Sequence, residues 1–298
     1  MARMNGSRSS WFQRGADAAQ QVLPVGSPRC YICPLCLRGF LPKALETDLL
    51  TVEHVPPKAL GGQGLVLTCR RCNSGAGARL DHEMMKKELI YDFHYGMMPQ
   101  PAAARLTMAD QSVNVEVQAI EESIRVVGLP GSNDPQVQKK LLEELDRLVE
   151  SGSWQGSQFD LTFYRGFRHR PALVGWLRAG YLAAFAALGY RYIMRAGLAV
   201  VRQQLANPEE DILRVFSVTM PGRIPREERR ILLVQRHTWM NSVAVQIGRH
   251  VVFLPSLEDA WPSLYEDLAE RAGEQADERI AGKLIPWPAK PRYALDFL

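Results

Sequence analysis

Cysteine is absent from most of this sequence. All five cysteines lie between residues 30 and 72, and the 226 residues after Cys72 contain none. The disulfide framework of a secreted domain would spread its cysteines through the chain, whereas one compact group is typical of a metal site in a reducing compartment. We therefore expect a metal site within residues 30–72 and a cytoplasmic protein.

The sequence also lacks the apolar segments that membrane targeting requires. The first 20 residues contain no apolar run of signal-peptide length. The most apolar stretch, residues 173–194, is interrupted by Arg178, Arg191 and three glycines. We therefore expect no membrane partner, and we interpret this stretch as a buried helix.

Acidic residues are in deficit only in the first third of the chain. Residues 1–100 contain 12 Lys and Arg against 8 Asp and Glu, whereas the remaining residues contain 24 of each, so the net charge of +4 arises in the first third. A basic surplus favours a polyanionic partner such as nucleic acid, although a solvated basic surface gives the same surplus.

Apolar periodicity predicts an α+β protein. Helical spacing is seen at residues 80–89, 134–150, 171–205 and 256–272, and strand-like alternation at residues 105–129, 230–235 and 242–253. Pro99 and Pro101 mark a domain boundary after the cysteine region. We therefore expect a flexible N-terminal arm or short helix at residues 1–25, a cysteine-containing domain at 26–98 and a larger α+β domain at 99–298.

Two Cys-x2-Cys pairs predict a structural zinc ion. The pairs are Cys33/Cys36 and Cys69/Cys72, and 32 residues separate them. Tetrahedral thiolate coordination requires two such pairs folded onto one ion. Cys30 and Cys33 have the same spacing, so Cys30 could replace Cys36. Pro34 and the turn after Cys36 favour Cys33/Cys36 as the first pair.

The segment between the cysteine pairs contains a second set of polar residues. A short apolar strand ends in Glu53-His54, Gly61-Gly62 follows, and a second apolar strand at residues 65–68 leads into the second cysteine pair, Asn73 and a helix. This order resembles the HNH endonuclease superfamily, in its four-cysteine zinc-containing form. The resemblance covers residues 30–92 and implies a zinc-stabilised ββα-metal domain at residues 26–98.

The resemblance implies a role for each motif residue. His54 matches the general base that deprotonates a water molecule, a role that suits an imidazole near neutral pH. Glu53 and Asn73 match the oxygen ligands of a catalytic divalent ion, for which Mg²⁺ or Mn²⁺ is the expected cofactor beside structural Zn²⁺. The expected reaction is hydrolysis of phosphodiester bonds in nucleic acid, and we expect DNA rather than RNA.

Two positions depart from the family pattern. Gln63-Gly64 stands where an asparagine often braces the active-site loop, so the bracing must come from elsewhere in this chain. Gly77 stands where some members supply a histidine ligand. Four basic residues around the motif are candidate phosphate contacts, with solvated surface charge as the alternative for each: Lys58, Arg70, Arg71 and Arg79.

Other functions share parts of this pattern. A noncatalytic zinc ribbon that binds nucleic acid or protein would need the four cysteines but not Glu53, His54 or Asn73. An RNase could use the same site. Taken singly, Asn73 is also a common helix N-cap residue. A role in bacterial defence or in mobile elements is a hypothesis from analogy alone.

Overall fold

The computed structural model describes most of the chain. The described residues are 2–98, 100–108, 111–121, 123–129, 131–153, 159–163, 166–234, 240–257, 264–271 and 281–293, with the side chains of residues 2–7, 75 and 76 left aside. Two compact units are present: unit 1 comprises Met1–Met85 with Arg168–Leu298, and unit 2 comprises Lys86–Phe167. Both units contain helices and strands, which confirms the α+β prediction.

The elements are numbered in chain order. The helices are α1 (Ala2–Gln20), α2 (Lys43–Glu46), α3 (Ala78–His94), α4 (Pro135–Glu150), α5 (His169–Leu188), α6 (Tyr190–Ile193), α7 (Leu198–Ala206) and α8 (Leu264–Glu270). The strands are β1 (Tyr31–Ile32), β2 (Gly39–Phe40), β3 (Leu50–Val55), β4 (Gln63–Cys69), β5 (Ala102–Met108), β6 (Gln111–Ile120), β7 (Ser123–Gly128), β8 (Asp160–Phe163), β9 (Ser217–Thr219), β10 (Arg229–Val234), β11 (Ser242–Ile247), β12 (His250–Pro255) and β13 (Gly282–Ile285).

Helix α5 runs through the core of unit 1. Nearly every residue from Pro171 to Leu188 is buried, and the helix packs on β11 and β12 of a five-stranded antiparallel sheet with the order β13-β10-β11-β12-β9. The same core includes the β3–β4 hairpin. The hairpin that carries the motif is thus packed against chain that follows it by more than 100 residues.

Helix α5 has the length and composition of a membrane-crossing helix. Among the described residues it alone meets that test, yet 94% of its most apolar window is buried inside the protein. Core helices of this kind pass the same test, so the finding is weak evidence for a membrane. The interpretation of residues 173–194 as buried helix is confirmed over Leu173–Leu188, which α5 contains.

Of the two alternatives expected for residues 1–25, an arm or a short helix, the structure has a helix. Residues 2–20 form α1, and Phe12, Ala16 and Ala19 are buried in the core of unit 1. Phe12 stacks on Tyr31 with ring centroids 6.0 Å apart. The spacing of these apolar residues is that of a helix face, which packs on β1 and β4.

The boundary expected near residue 99 differs from the structure. The compact units divide at Met85 and Phe167, so residues 168–298 belong to the same unit as the cysteine region. The cause is long-range packing, because α5 contacts β3 and β4 as well as β11 and β12. The strand expected at residues 242–253 is two strands, β11 and β12, joined by a turn in which Gly248 has φ +57°.

The described part of unit 2 contains a four-stranded antiparallel sheet, helix α4 and residues 86–94 of α3. The strand order is β7-β6-β5-β8, and β5, β6 and β7 form the predicted meander. Helix α4 begins at Asp134, whose side chain accepts hydrogen bonds from the backbone of Gln136 and Val137. Leu141 of α4 is buried against the sheet, so unit 2 has its own core.

Candidate metal centre and HNH motif

The four cysteines of the two pairs lie together in unit 1. The Sγ atoms of Cys33, Cys36, Cys69 and Cys72 all lie within 4.8 Å of one another. The Sγ atoms of Cys36 and Cys69 are 3.7 Å apart. Four sulfurs around a zinc ion at the usual bond length lie roughly 3.8 Å apart in a tetrahedron, so this donor set fits Zn²⁺. Cys30 does not belong to the cluster, which leaves Cys33/Cys36 as the first pair.

The chain around Cys33 forms a tight turn that presents both sulfurs of the first pair. The backbone N–H of Cys33 donates to the carbonyl of Arg38, and the N–H of Leu37 donates to the carbonyl of Cys33. Leu37 has φ 56°, the left-handed conformation that reverses the chain here. Hydrogen bonds from Cys33 lower the pKa of Cys36 and of Cys69, whereas hydrogen bonds with the same two neighbours raise the pKa of Cys33, so the thiols titrate as one group.

The two residues at the end of β3 have opposite exposure. Glu53 is 4% exposed, whereas the neighbouring His54 is exposed to solvent. Strands β3 and β4 pair antiparallel, and their register shifts between Glu53 and His54. Such a bulge changes the direction of the side chains beside it. His54 is therefore placed where water can reach it, while Glu53 points into the protein.

The Glu53 carboxylate is held by two donors. Thr68 Oγ1 donates to Glu53 Oε2 at 3.0 Å, and Arg178 Nη2 donates to the same oxygen at 2.8 Å. Both donors among the described residues use Oε2, so Oε1 remains as a ligand atom. Arg178 also lies 4.0 Å from Asp81, whose pKa burial raises to about 6 although Arg178 opposes the shift.

Asn73 lies beside the strand that carries Glu53 and His54. Its Nδ2 donates to Thr51 Oγ1 at 2.8 Å and to the carbonyl of Val52 at 3.2 Å. Because a carbonyl accepts only, the Val52 contact sets the orientation of the amide and leaves Oδ1 for a ligand. Asn73 occupies a π-helical turn, Cys72–Gly77, and helical backbone already begins at Arg70, so Asn73 is not an N-cap residue.

The donor set near β3 suits a hard cation. Glu53 Oε1 and Asn73 Oδ1 are oxygen ligands of the kind that Mg²⁺ and Mn²⁺ prefer. The π-helical turn at Asn73 is a rare element that is frequent at functional sites. Glu53 and Asn73 therefore fit a divalent ion chemically, with Arg178 as a resident positive charge on the same carboxylate.

The loop after β3 is braced from a distant strand. Gly62 is required there, because a Cβ atom would lie 1.5 Å from the carbonyl oxygen of Pro56. Arg229 Nη2, on β10, donates to the carbonyl of Gly61 at 2.7 Å, and its guanidinium lies over the ring of Trp287. Arg229 thus supplies bracing that the Gln63-Gly64 sequence does not.

The four basic candidates are all on the surface. All four side chains are exposed: Lys58, Arg70, Arg71 and Arg79. Exposure is required both for contact with phosphate and for an ordinary solvated surface charge. Lys58 follows β3, and the three arginines lie along the helical segment that contains Asn73. They surround the motif in sequence, and their contact with phosphate stays a prediction.

The sequence alone does not predict the residues that the second half of the chain supplies to the site. Arg178 and Arg229 contact the motif, and the hydroxyl of Tyr181 donates to the carbonyl of Pro34 in the cysteine turn at 2.8 Å. One signal was available for Arg178: a single arginine within an apolar helix must find a buried partner. No such signal marks Arg229 or Tyr181.

Comparison with protein families gives one match. A family model described as HNH endonuclease matches residues 30–89. Comparison with curated proteins found no match, and comparison with solved structures found none. The matched segment contains the four clustered cysteines, Glu53, His54 and Asn73. Residues 30–89 are therefore an HNH endonuclease domain, in which four cysteines can hold a zinc ion.

Proposed function

We propose that this protein is a metal-dependent endonuclease that hydrolyses phosphodiester bonds of DNA, with His54 as the general base. The observation that carries the proposal is the bond from the Asn73 amide to the Val52 carbonyl. It holds the Asn73 amide against β3, the strand that also contains Glu53 and His54.

His54, Glu53 and Asn73 would have different roles in hydrolysis. His54 is exposed, so its imidazole can take a proton from a water molecule that attacks phosphorus. Glu53 and Asn73 would hold the divalent ion through Oε1 and Oδ1. The ion, when bound, neutralises charge on the scissile phosphate and on the leaving oxygen. Thr68 and Arg178 fix the Glu53 carboxylate, and Thr51 fixes the Asn73 amide.

The zinc site has a structural role in this proposal. Four thiolates close the coordination sphere, so no position remains for water or substrate. The ion would tie Cys33 and Cys36 to Cys69 and Cys72, at the end of β4 and the start of the helix. It would thereby fix the strand that pairs with β3 and the turn that presents Asn73.

A noncatalytic zinc module is the second candidate. The observation that favours it is the buried pair of Glu53 and Arg178, because such a pair gives Glu53 a structural role without any ion. The two candidates differ in whether the protein cuts. Supercoiled plasmid, single-stranded DNA and RNA are incubated with the protein in Mg²⁺, Mn²⁺ or EDTA, and a chain with both His54→Ala and Asn73→Ala serves as the blank.

The proposal predicts cleavage of DNA that requires Mg²⁺ or Mn²⁺ and is absent from the blank. Equal products from the blank and the parent would identify a contaminating nuclease. Binding of nucleic acid without cleavage under every metal condition would favour the zinc module. Cleavage of RNA alone would replace the substrate but keep the site.

A further inference from the structure

Arg178 is a buried charge in an apolar helix. Its side chain is 7% exposed, and in α5 it is the one charged residue between Pro171 and Leu188. Its Nη2 donates to Glu53 Oε2 and to the carbonyl of Cys72 at 3.2 Å. A buried guanidinium is stable only where such partners compensate the loss of water. These two acceptors, together with Asp81 4.0 Å from Nη1, therefore form a built site for one positive charge at the Glu53 carboxylate.

The helix that follows Asn73 leaves space for this guanidinium. A Cβ atom at Gly77 would lie 3.2 Å from both Nη1 and Nη2 of Arg178, closer than an ordinary van der Waals contact. Gly77 has no left-handed backbone that would require glycine. The absence of a side chain at this position therefore serves the approach of Arg178 to Glu53.

We propose that Arg178 is a built-in counter-ion of Glu53, which holds the carboxylate without a divalent ion and lowers the affinity of the site for that ion. The inference rests on the proposed function, since it takes Glu53 as a metal ligand. The guanidinium already compensates the negative charge of the Glu53 carboxylate through Nη2, while its Nη1 lies 4.0 Å from Asp81. A divalent ion on Oε1 must share that charge and also lie near a fixed positive group.

The opposite role for Arg178 makes the opposite prediction. If Arg178 served only to orient the Glu53 carboxylate toward the ion, its removal would disorder the carboxylate and lower the affinity of the site for the ion. If Arg178 competes with the ion, its removal leaves a buried carboxylate without a counter-ion, and metal binding becomes tighter. The sign of the change in affinity therefore distinguishes a counter-ion from a simple support.

The experiment measures Mn²⁺ binding without nucleic acid. Full-length protein with zinc bound is titrated with Mn²⁺, and free Mn²⁺ is followed by electron paramagnetic resonance. Arg178→Met is compared with the parent and with Arg170→Met. Arg170 lies two turns earlier on α5, about 12 Å along the axis, and is also paired and partly buried. Arg170→Met also removes one positive charge and should lower the free energy of unfolding, so it controls for these two general effects of Arg178→Met.

We expect Arg178→Met to bind Mn²⁺ about tenfold more tightly or better. The substitution removes the repulsion between the guanidinium and a divalent ion on the same carboxylate, and such repulsion is large in a protein interior. Arg170→Met should bind like the parent. Mn²⁺ should also raise the melting temperature of Arg178→Met by more than that of the parent. Unchanged or weaker binding by Arg178→Met, in a series where the parent binds, would overturn the inference and leave the proposed function standing.

Gly77→Ala keeps the test decisive if Arg178→Met does not fold. The added methyl group must displace the guanidinium by a few tenths of an ångström and retains every charge. It should also raise Mn²⁺ affinity, by a smaller factor. Absence of Mn²⁺ binding in the parent and in both variants would refute the metal site itself, and with it both the inference and the proposed function.

Discussion

Arg178 Nη2 and Glu53 Oε2 are 2.8 Å apart although 125 residues separate them in sequence. Both side chains are more than nine-tenths buried. The contact joins the motif to the core helix of unit 1, so the Glu53 carboxylate and the distant part of the fold depend on each other. Removing either partner leaves the other as an uncompensated buried charge.

A double-mutant cycle should reveal this dependence. Without Mg²⁺ or Mn²⁺, we expect Arg178→Met to lower the free energy of unfolding by about 3–5 kcal/mol. In the Glu53→Gln background the same substitution should cost much less, because no carboxylate is then left unpaired. Urea unfolding followed by circular dichroism measures all four proteins. Strictly additive losses would show that the two side chains do not interact.

The zinc site should decide whether the domain folds. We expect elemental analysis to find about one zinc ion per chain. The double variant Cys69→Ser Cys72→Ser should lose both the zinc ion and the native fold. Cys30→Ser is the matched control, since Cys30 lies outside the cluster, and it should keep zinc and stability while Cys33→Ser loses both. Zinc loss in Cys30→Ser would mean that the first pair is Cys30/Cys33.

The local part of the site could be predicted from the sequence, and the distant part could not. The cysteine spacing, Glu53-His54 and Asn73 lie within one segment, where spacing alone carries the chemistry. Arg229 comes from a strand 168 residues beyond Gly61, and nothing near Arg229 indicates this contact. The burial of Glu53 also depends on α5. The local sequence is typical of an exposed carboxylate, but packing against this distant helix buries the side chain.

The composition of the compact units has the same physical cause. Unit 2 begins at Lys86, before the prolines at positions 99 and 101, and a linker signal cannot show that the chain returns to the first unit. That return depends on packing between α5 and the β3–β4 hairpin. The sequence left open whether residues 1–25 are an arm or a helix, because strands β1 and β4, on which α1 packs, belong to later parts of the chain.

A fragment of residues 1–98 should therefore fail to fold. It lacks Arg178, and it also lacks Tyr190, whose hydroxyl bonds both to the backbone N–H and to the carbonyl of Ile32. We expect a spectrum of an unfolded chain by circular dichroism even with zinc added. A fragment of residues 86–167 has its own sheet and core and should give a folded spectrum. A folded and active 1–98 fragment would contradict the structure of unit 1.

Arg229 should affect the rate of cleavage through the loop that follows His54. Arg229→Met removes the bond to Gly61, and one charge-assisted hydrogen bond is worth about 1.5–3 kcal/mol, so kcat should fall roughly tenfold or more. Arg230→Met is the control, because that neighbouring side chain is exposed and paired with Glu228. Zinc content should stay unchanged in both proteins. An equal loss of rate in the two variants would exclude a bracing role.

The most direct test of the HNH mechanism is the cleavage rate of His54→Ala. His54 is exposed, and its side chain has no hydrogen bond or ion pair among the described residues. Its loss should lower DNA cleavage by about 10²–10⁴-fold while zinc content, melting temperature and DNA affinity stay at parent values. His82→Ala, which removes another exposed histidine of the same domain, should cut like the parent. Undiminished cleavage by His54→Ala would contradict the mechanism, even if the zinc site is correct.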